Sequence, residues 1–95
     1  MRAITEQAVS ALLERQSFKK SNTRIYQDGN VWIMSLHGNP IAKLDNSGTL
    51  SICCGGWMSN TTKERLNGFD SVSIRQRSGV WYLNGNEWDG DWITV

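Results

Sequence analysis

From residue 22 the hydrophobic pattern changes from a helical to an alternating period, and clusters of turn residues recur at intervals too short to hold a helix between them. The clusters are Asp28-Gly29-Asn30, His37-Gly38-Asn39-Pro40, Asp45-Asn46-Ser47-Gly48 and Gly55-Gly56. Between them lie strand candidates at residues 23–27, 31–36, 41–44 and 49–53. Parallel pairing needs a crossover of about a dozen residues or more, so connections this short leave an antiparallel meander. The Asp-Gly pair supplies the positive backbone angles of a tight hairpin and joins the first two strands directly.

Helical patterning flanks this region. Over residues 3–18, Ile4, Ala8, Val9, Ala11, Leu12 and Phe18 fall on one face, with Glu6, Ser10 and Glu14 opposite. The basic residues Arg15, Lys19, Lys20 and Arg24 near its end complement the helix dipole. A short second helix is expected over residues 59–68. Thr61 and Glu64 have the spacing of a capping box, with Ser59 or Asn60 as alternative caps and Gly68 as the stop. Residues 71–77 and 80–83 then alternate around Ser78-Gly79, Asn84-Gly85 signals another hairpin, and residues 92–95 supply a final edge strand. The expected fold class is α+β. One domain spans residues 1–95, with an N-terminal helix (1–20), an antiparallel β-meander (22–54), a short second helix (59–68) and a C-terminal β-hairpin and tail (71–95).

Composition narrows the chemistry. The chain is 39% hydrophobic and 20% charged with a formal net charge of +1, which suits a folded domain and lacks the global positive field of a protein held mainly by nucleic-acid phosphates. No run approaches the roughly 20 apolar residues of a membrane span, and Glu6 and Glu14 interrupt any signal-like segment, which points to a cytoplasmic protein with no membrane partner. Cys53 and Cys54 are adjacent, a poor geometry for a disulfide, and are expected as reduced thiols. Leu50, Ile52 and Cys54 share one strand face, leaving one thiol in the core and one outside. With His37 the only histidine, a closed Cys/His zinc site cannot be built within one chain.

No catalytic set assembles from these residues. His37 lies in a turn without a Ser or Cys at a catalytic spacing, there is no phosphate-binding G-x-x-x-x-G-K-[ST], and Glu87, Asp89 and Asp91 lack the order of a calcium loop. The expectation is a non-enzyme with no cofactor and no metal. Binding residues are easier to nominate. Arg75 and Arg77 share one strand face, Lys63 and Arg65 lie on the short helix, and Trp81 follows nearby, a set suited to phosphate contacts and base stacking. The same residue types dominate protein-interface hot spots. Most of the five Trp should nevertheless fill the core, because a small domain needs large apolar side chains. The apolar face of the first helix packs either within the chain or against a second copy, so monomer and homodimer are both open.

The run Gly56-Trp57-Met58-Ser59-Asn60-Thr61-Thr62-Lys63-Glu64-Arg65-Leu66-Asn67, then Val72-Ser73-Ile74-Arg75-Gln76 and Trp81-Tyr82-Leu83-Asn84-Gly85-Asn86-Glu87-Trp88-Asp89-Gly90, resembles a family of small uncharacterised proteins of tailed bacteriophages. The resemblance covers residues 41–92 and carries no catalytic or binding residues with it. It implies a phage origin, expression in the infected bacterial cytoplasm and an accessory role. Together with the residue-level reading, it suggests a protein that binds and blocks a host macromolecule, foremost a host protein, in the manner of an anti-CRISPR or other anti-defence inhibitor. A single-stranded nucleic-acid-binding module using Lys63, Arg65, Arg75, Arg77 and Trp81 is the alternative.

Overall fold

A computed structural model describes residues 3–95. Helix α1 (Ala3–Leu13) leads into strands β1 (Phe18–Lys20), β2 (Thr23–Asp28), β3 (Val31–Leu36), β4 (Asn39–Leu44) and β5 (Leu50–Ile52). Helix α2 (Asn60–Leu66) follows, then β6 (Ile74–Arg77), β7 (Val80–Leu83), β8 (Asn86–Glu87) and β9 (Ile93–Thr94). The fold is α+β, with every pairing antiparallel. One sheet has the order β1-β2-β3-β4-β5-β9 and the other β6-β7-β8.

The first helix is shorter than its periodicity suggests. It stops at Leu13, and residues 18–20, expected to be helical, form β1 instead. Arg15 adopts φ 55°, while the Gln16 amide donates to Ala11 O at 2.8 Å and the Arg15 amide to Leu12 O at 3.1 Å. This crossed pair of bonds is the Schellman termination, here built on Arg where Gly is usual. The basic residues 19, 20 and 24 therefore lie on strands and have no dipole to complement.

Turn chemistry sets the meander. His37-Gly38, Ser78-Gly79 and Asn84-Gly85 each take positive φ at both central positions, the twist-compatible geometry for a two-residue hairpin. In the β2–β3 hairpin Asp28 pairs with Val31, so the central residues are Gly29 and Asn30, one position later than the Asp-Gly reading. Register then aligns Ile25, Met34, Ala42 and Ile52 across four neighbouring strands, and all are at most 1% exposed. A bulge opposite Met34 and Ser35 leaves Ile41 unpaired, which lets the consecutive residues Ile41 and Ala42 both bury. Pro40 sits beside this bulge, where the missing amide is tolerated.

Helix α1 spends its apolar face inside the chain: Ala8, Val9, Ala11 and Leu12 join the same core as the sheet residues, Leu66, Phe69 and Trp81. That face is consumed within the protomer. Ser59 caps α2, its Oγ accepting from the Thr62 amide at 3.1 Å, so the Thr61–Glu64 box does not form. Gly68 does not adopt positive φ. Its role is close approach, since a Cβ there would lie 2.7 Å from methyl groups of both Thr5 and Val9.

The second sheet starts later than the alternation suggests. Asn67 brackets Ile74, accepting its amide at 2.6 Å and donating to its carbonyl at 3.1 Å, while Asn84 holds Ser71 and Ser73. Residues 69–73 are thus irregular chain that still delivers Phe69 and Val72 to the core. Beyond β8 the chain leaves this sheet, and β9 pairs with β5, placing Ile93 opposite Ile52. The expected edge strand exists and belongs to the first sheet.

Candidate functional site: an exposed tryptophan beside an apolar groove

The five nominated binding residues do not form one surface. Arg65 is 2% exposed, and its Nε donates to Thr23 Oγ1 at 3.0 Å and its Nη1 to Thr5 Oγ1 at 2.8 Å. Glu64 Oε1 lies 3.6 Å from the same Nη1 and accepts from the Thr5 hydroxyl. This guanidinium is a structural tie between α1, β2 and α2, unavailable to a partner. Trp81 is also 2% exposed and packs with Trp88 at a centroid separation of 6.2 Å, so it stacks on the interior and not on a base.

The other three remain accessible but diverge. Lys63 is half-buried, donates to Gln76 Oε1 at 2.9 Å and sits 5.8 Å from the Trp81 ring centre. Arg75 and Arg77 are exposed on the opposite face of β6, where the neighbouring ring is Tyr82. Glu87 stands next in that row, across from Tyr82, and opposes a build-up of positive potential.

What the residue-by-residue reading missed is the segment just before α2. Trp57 is 71% exposed and Met58 45%. A groove of about 520 Å³ opens beside them, lined by Leu36, Ile41, Cys54, Trp57, Thr62 and neighbouring turn residues. Two causes hold the geometry. Gly55 at φ 67° turns the chain where a Cβ would touch Ile41 and Asn39, and the Thr62 hydroxyl donates to the Trp57 carbonyl at 3.1 Å, anchoring the backbone that presents the indole. A sequence signal existed in Gly55-Gly56-Trp57-Met58, two large apolar residues after a double-glycine turn and before a polar cap.

The thiols resolve into one buried and one half-buried group. Strand β5 ends at Ile52, so the alternation does not reach the cysteines. Cys53 is the buried one, donating to Pro40 O at 3.2 Å, and Cys54 lines the groove. Burial pushes the Cys53 thiol up from its ordinary value, which favours the protonated form at neutral pH over an activated thiolate. His37 stands at the groove rim in a positive-φ turn, 3.4 Å from Asn22 Nδ2. At the C-terminal loop, Asp89 and Asp91 accept the amides of Asp91 and Trp92, so these carboxylates are engaged in shaping their own loop. Among the described residues no three His, Cys, Asp or Glu converge, and no helix is long and apolar enough to cross a membrane.

Fold and site define a small two-sheet α+β domain that presents an apolar side chain and a groove. The chain belongs to the Kyanoviridae Gp96 protein family, whose model matches residues 1–94, and is therefore a phage protein. The match takes in α1, which the partial resemblance over residues 41–92 had left outside. No curated protein and no solved structure matches the chain.

Proposed function

We propose that this phage protein acts as a non-enzymatic binder in the infected host cytoplasm, covering and blocking a surface of a host protein. The observation that carries this reading is Trp57, 71% exposed and held beside an apolar groove by the Thr62–Trp57 hydrogen bond. An indole left in water on an anchored backbone loses little conformational freedom on docking, and buried Trp side chains dominate interface energetics. Met58 beside it adapts to a partner's contour. Anti-defence action, with an anti-CRISPR as its concrete form, is the role that fits a small phage protein working by surface coverage.

The test is a tagged pulldown from nuclease-treated lysate of a susceptible host, comparing the native protein with Trp57→Ala and with Arg75→Ala. The expected result is one stoichiometric host protein retained by the native chain and by Arg75→Ala and lost with Trp57→Ala. Retention by Trp57→Ala, or the absence of any stoichiometric partner, overturns the reading. The alternative built on Lys63, Arg65, Arg75, Arg77 and Trp81 has less support, since two of its five residues are buried and the exposed arginines share their sheet face with Glu87.

A further inference from the structure

The outer face of the six-stranded sheet is a separate surface from the Trp57 groove. Ile25, Met34, Ala42 and Ile52 point into the core, so strand alternation sends Arg24, Tyr26, Lys43 and Ser51 the other way. Lys19 stands across from Arg24 on β1, and Trp92, two residues before Thr94 of β9, closes the far side. Each side of this face joins a cation to a ring. The Arg24 guanidinium carbon lies 4.8 Å from the Tyr26 ring centre, and Lys43 Nζ lies 4.0 Å from that of Trp92.

Acidic groups lie behind this face or at its margins. Glu6 is on α1, which packs against the other side of the sheet, and Glu14 follows directly after that helix. Asp28 shares the alternation of Arg24 and Tyr26 and so lies on this side of the sheet, but at its margin, at the hairpin end of β2 opposite Val31. Asp91, beside Trp92, has its carboxylate turned onto the Trp92 amide at 2.8 Å. A chain as near neutral as this one therefore concentrates Lys19, Arg24 and Lys43 on one wall with two aromatic rings. Lys19 and Lys43 lie three strands apart, about 14 Å across the sheet at a strand spacing near 4.8 Å. Lys43 sits in the row of Tyr26, two residues along from that of Lys19, which is room for a flexible anionic strand to run obliquely across the sheet.

We infer that this face binds single-stranded nucleic acid, with Lys19, Arg24 and Lys43 meeting phosphates and Tyr26 and Trp92 offering stacking platforms to bases. The alternation of charge and flat ring is what selects this ligand: an acidic peptide or a lipid headgroup supplies the charge without a succession of π-faces. The inference is independent of the Trp57 reading and stands or falls without it.

The experiment is fluorescence anisotropy of the full chain with labelled oligothymidylate and oligoadenylate over a salt series. Three phosphate contacts give a slope of log affinity against log salt of about −2. The Arg24→Gln, Lys43→Gln double variant is expected to weaken binding at least tenfold and reduce the slope to about −0.7, leaving Lys19 alone. Trp92→Ala weakens binding with the slope unchanged, and Arg75→Gln with Arg77→Gln changes neither. Far-UV circular dichroism of each variant separates loss of the site from loss of the fold. No binding at low salt, native-like affinity in the Arg24→Gln, Lys43→Gln variant, equal affinity for duplex DNA, or tighter capture by phosphatidylglycerol vesicles than by either oligomer overturns the assignment.

Discussion

Arg65→Ala removes the guanidinium that ties α1 to β2 and α2, and its cost follows from the geometry. The side chain is 2% exposed and donates two hydrogen bonds, to Thr5 and Thr23, at 2.8 and 3.0 Å. Hydrogen bonds with a charged partner contribute about 1.5–3 kcal/mol each. Truncation also leaves a void and takes away the cation 3.6 Å from Glu64. The expected loss is about 3–5 kcal/mol, the range found when one partner is removed from a buried charge arrangement. A domain of this length has a total stability of roughly 5–14 kcal/mol. With about 4–8 °C per kcal/mol at this size, Tm falls by at least about 12 °C. Urea and thermal melts followed by tryptophan fluorescence measure it directly. Arg65→Met supplies the contrast, because it keeps much of the apolar stem while removing the charge and its desolvation cost. Thr5 and Thr23 still have acceptors in Glu64 and Asn22, so Met should cost less than half of what Ala costs. A loss below about 1 kcal/mol for Arg65→Ala, or equal losses for the two variants, would refute the reasoning.

Three further outcomes follow from local geometry. Gly68→Ala forces a Cβ to within 2.7 Å of Thr5 and Val9 methyl groups and should cost about 1–3 kcal/mol in a chemical melt, partly recovered in the Gly68→Ala, Val9→Ala double variant. Arg15→Gly relieves a side chain held at φ 55° and should raise stability by about 0.5–1 kcal/mol even though the exposed bond to Asp45 O is lost; a lower Tm would argue against the Schellman strain. The Asp45 carboxyl is held below its ordinary value of 3.8, first by the Ser47 hydroxyl and then by the Thr49 amide, so its contribution is complete above the unfolded-state value and lost as pH falls through the folded one. Carbon-13 titration should place it on the acid side of 3.8, and Asp45→Asn should flatten the acid limb of the stability profile.

How far the site could be read in advance depends on what each residue's neighbours were. Arg75 and Arg77 were correctly placed together on one strand face, because alternation is a local property. Arg65 looked like an exposed helix cation, and nothing local distinguishes it from one; its burial requires Thr5 and Thr23, some 60 and 42 residues away in the chain. Trp81 and Trp57 are the same residue type after similar glycine turns, yet one is sealed beneath Trp88 and the other stands in water. The pairing of Arg24 with Tyr26 was within reach, two residues apart on one strand. That of Lys43 with Trp92 was not.

The sequence by itself determined the α+β class, the antiparallel meander, the hairpins at Ser78-Gly79 and Asn84-Gly85, and the second helix, because period, turn chemistry and capping act over a few residues. It did not determine that residues 18–20 leave the helix, since an Arg in a left-handed cap carries no local signal of a stop. Only the tertiary structure decided that β9 crosses back to β5, that the apolar face of α1 is satisfied within the protomer, and which tryptophans reach solvent. The reason is physical: burial and long-range pairing depend on which surfaces compete for the same core, and that competition is settled between segments distant in the chain.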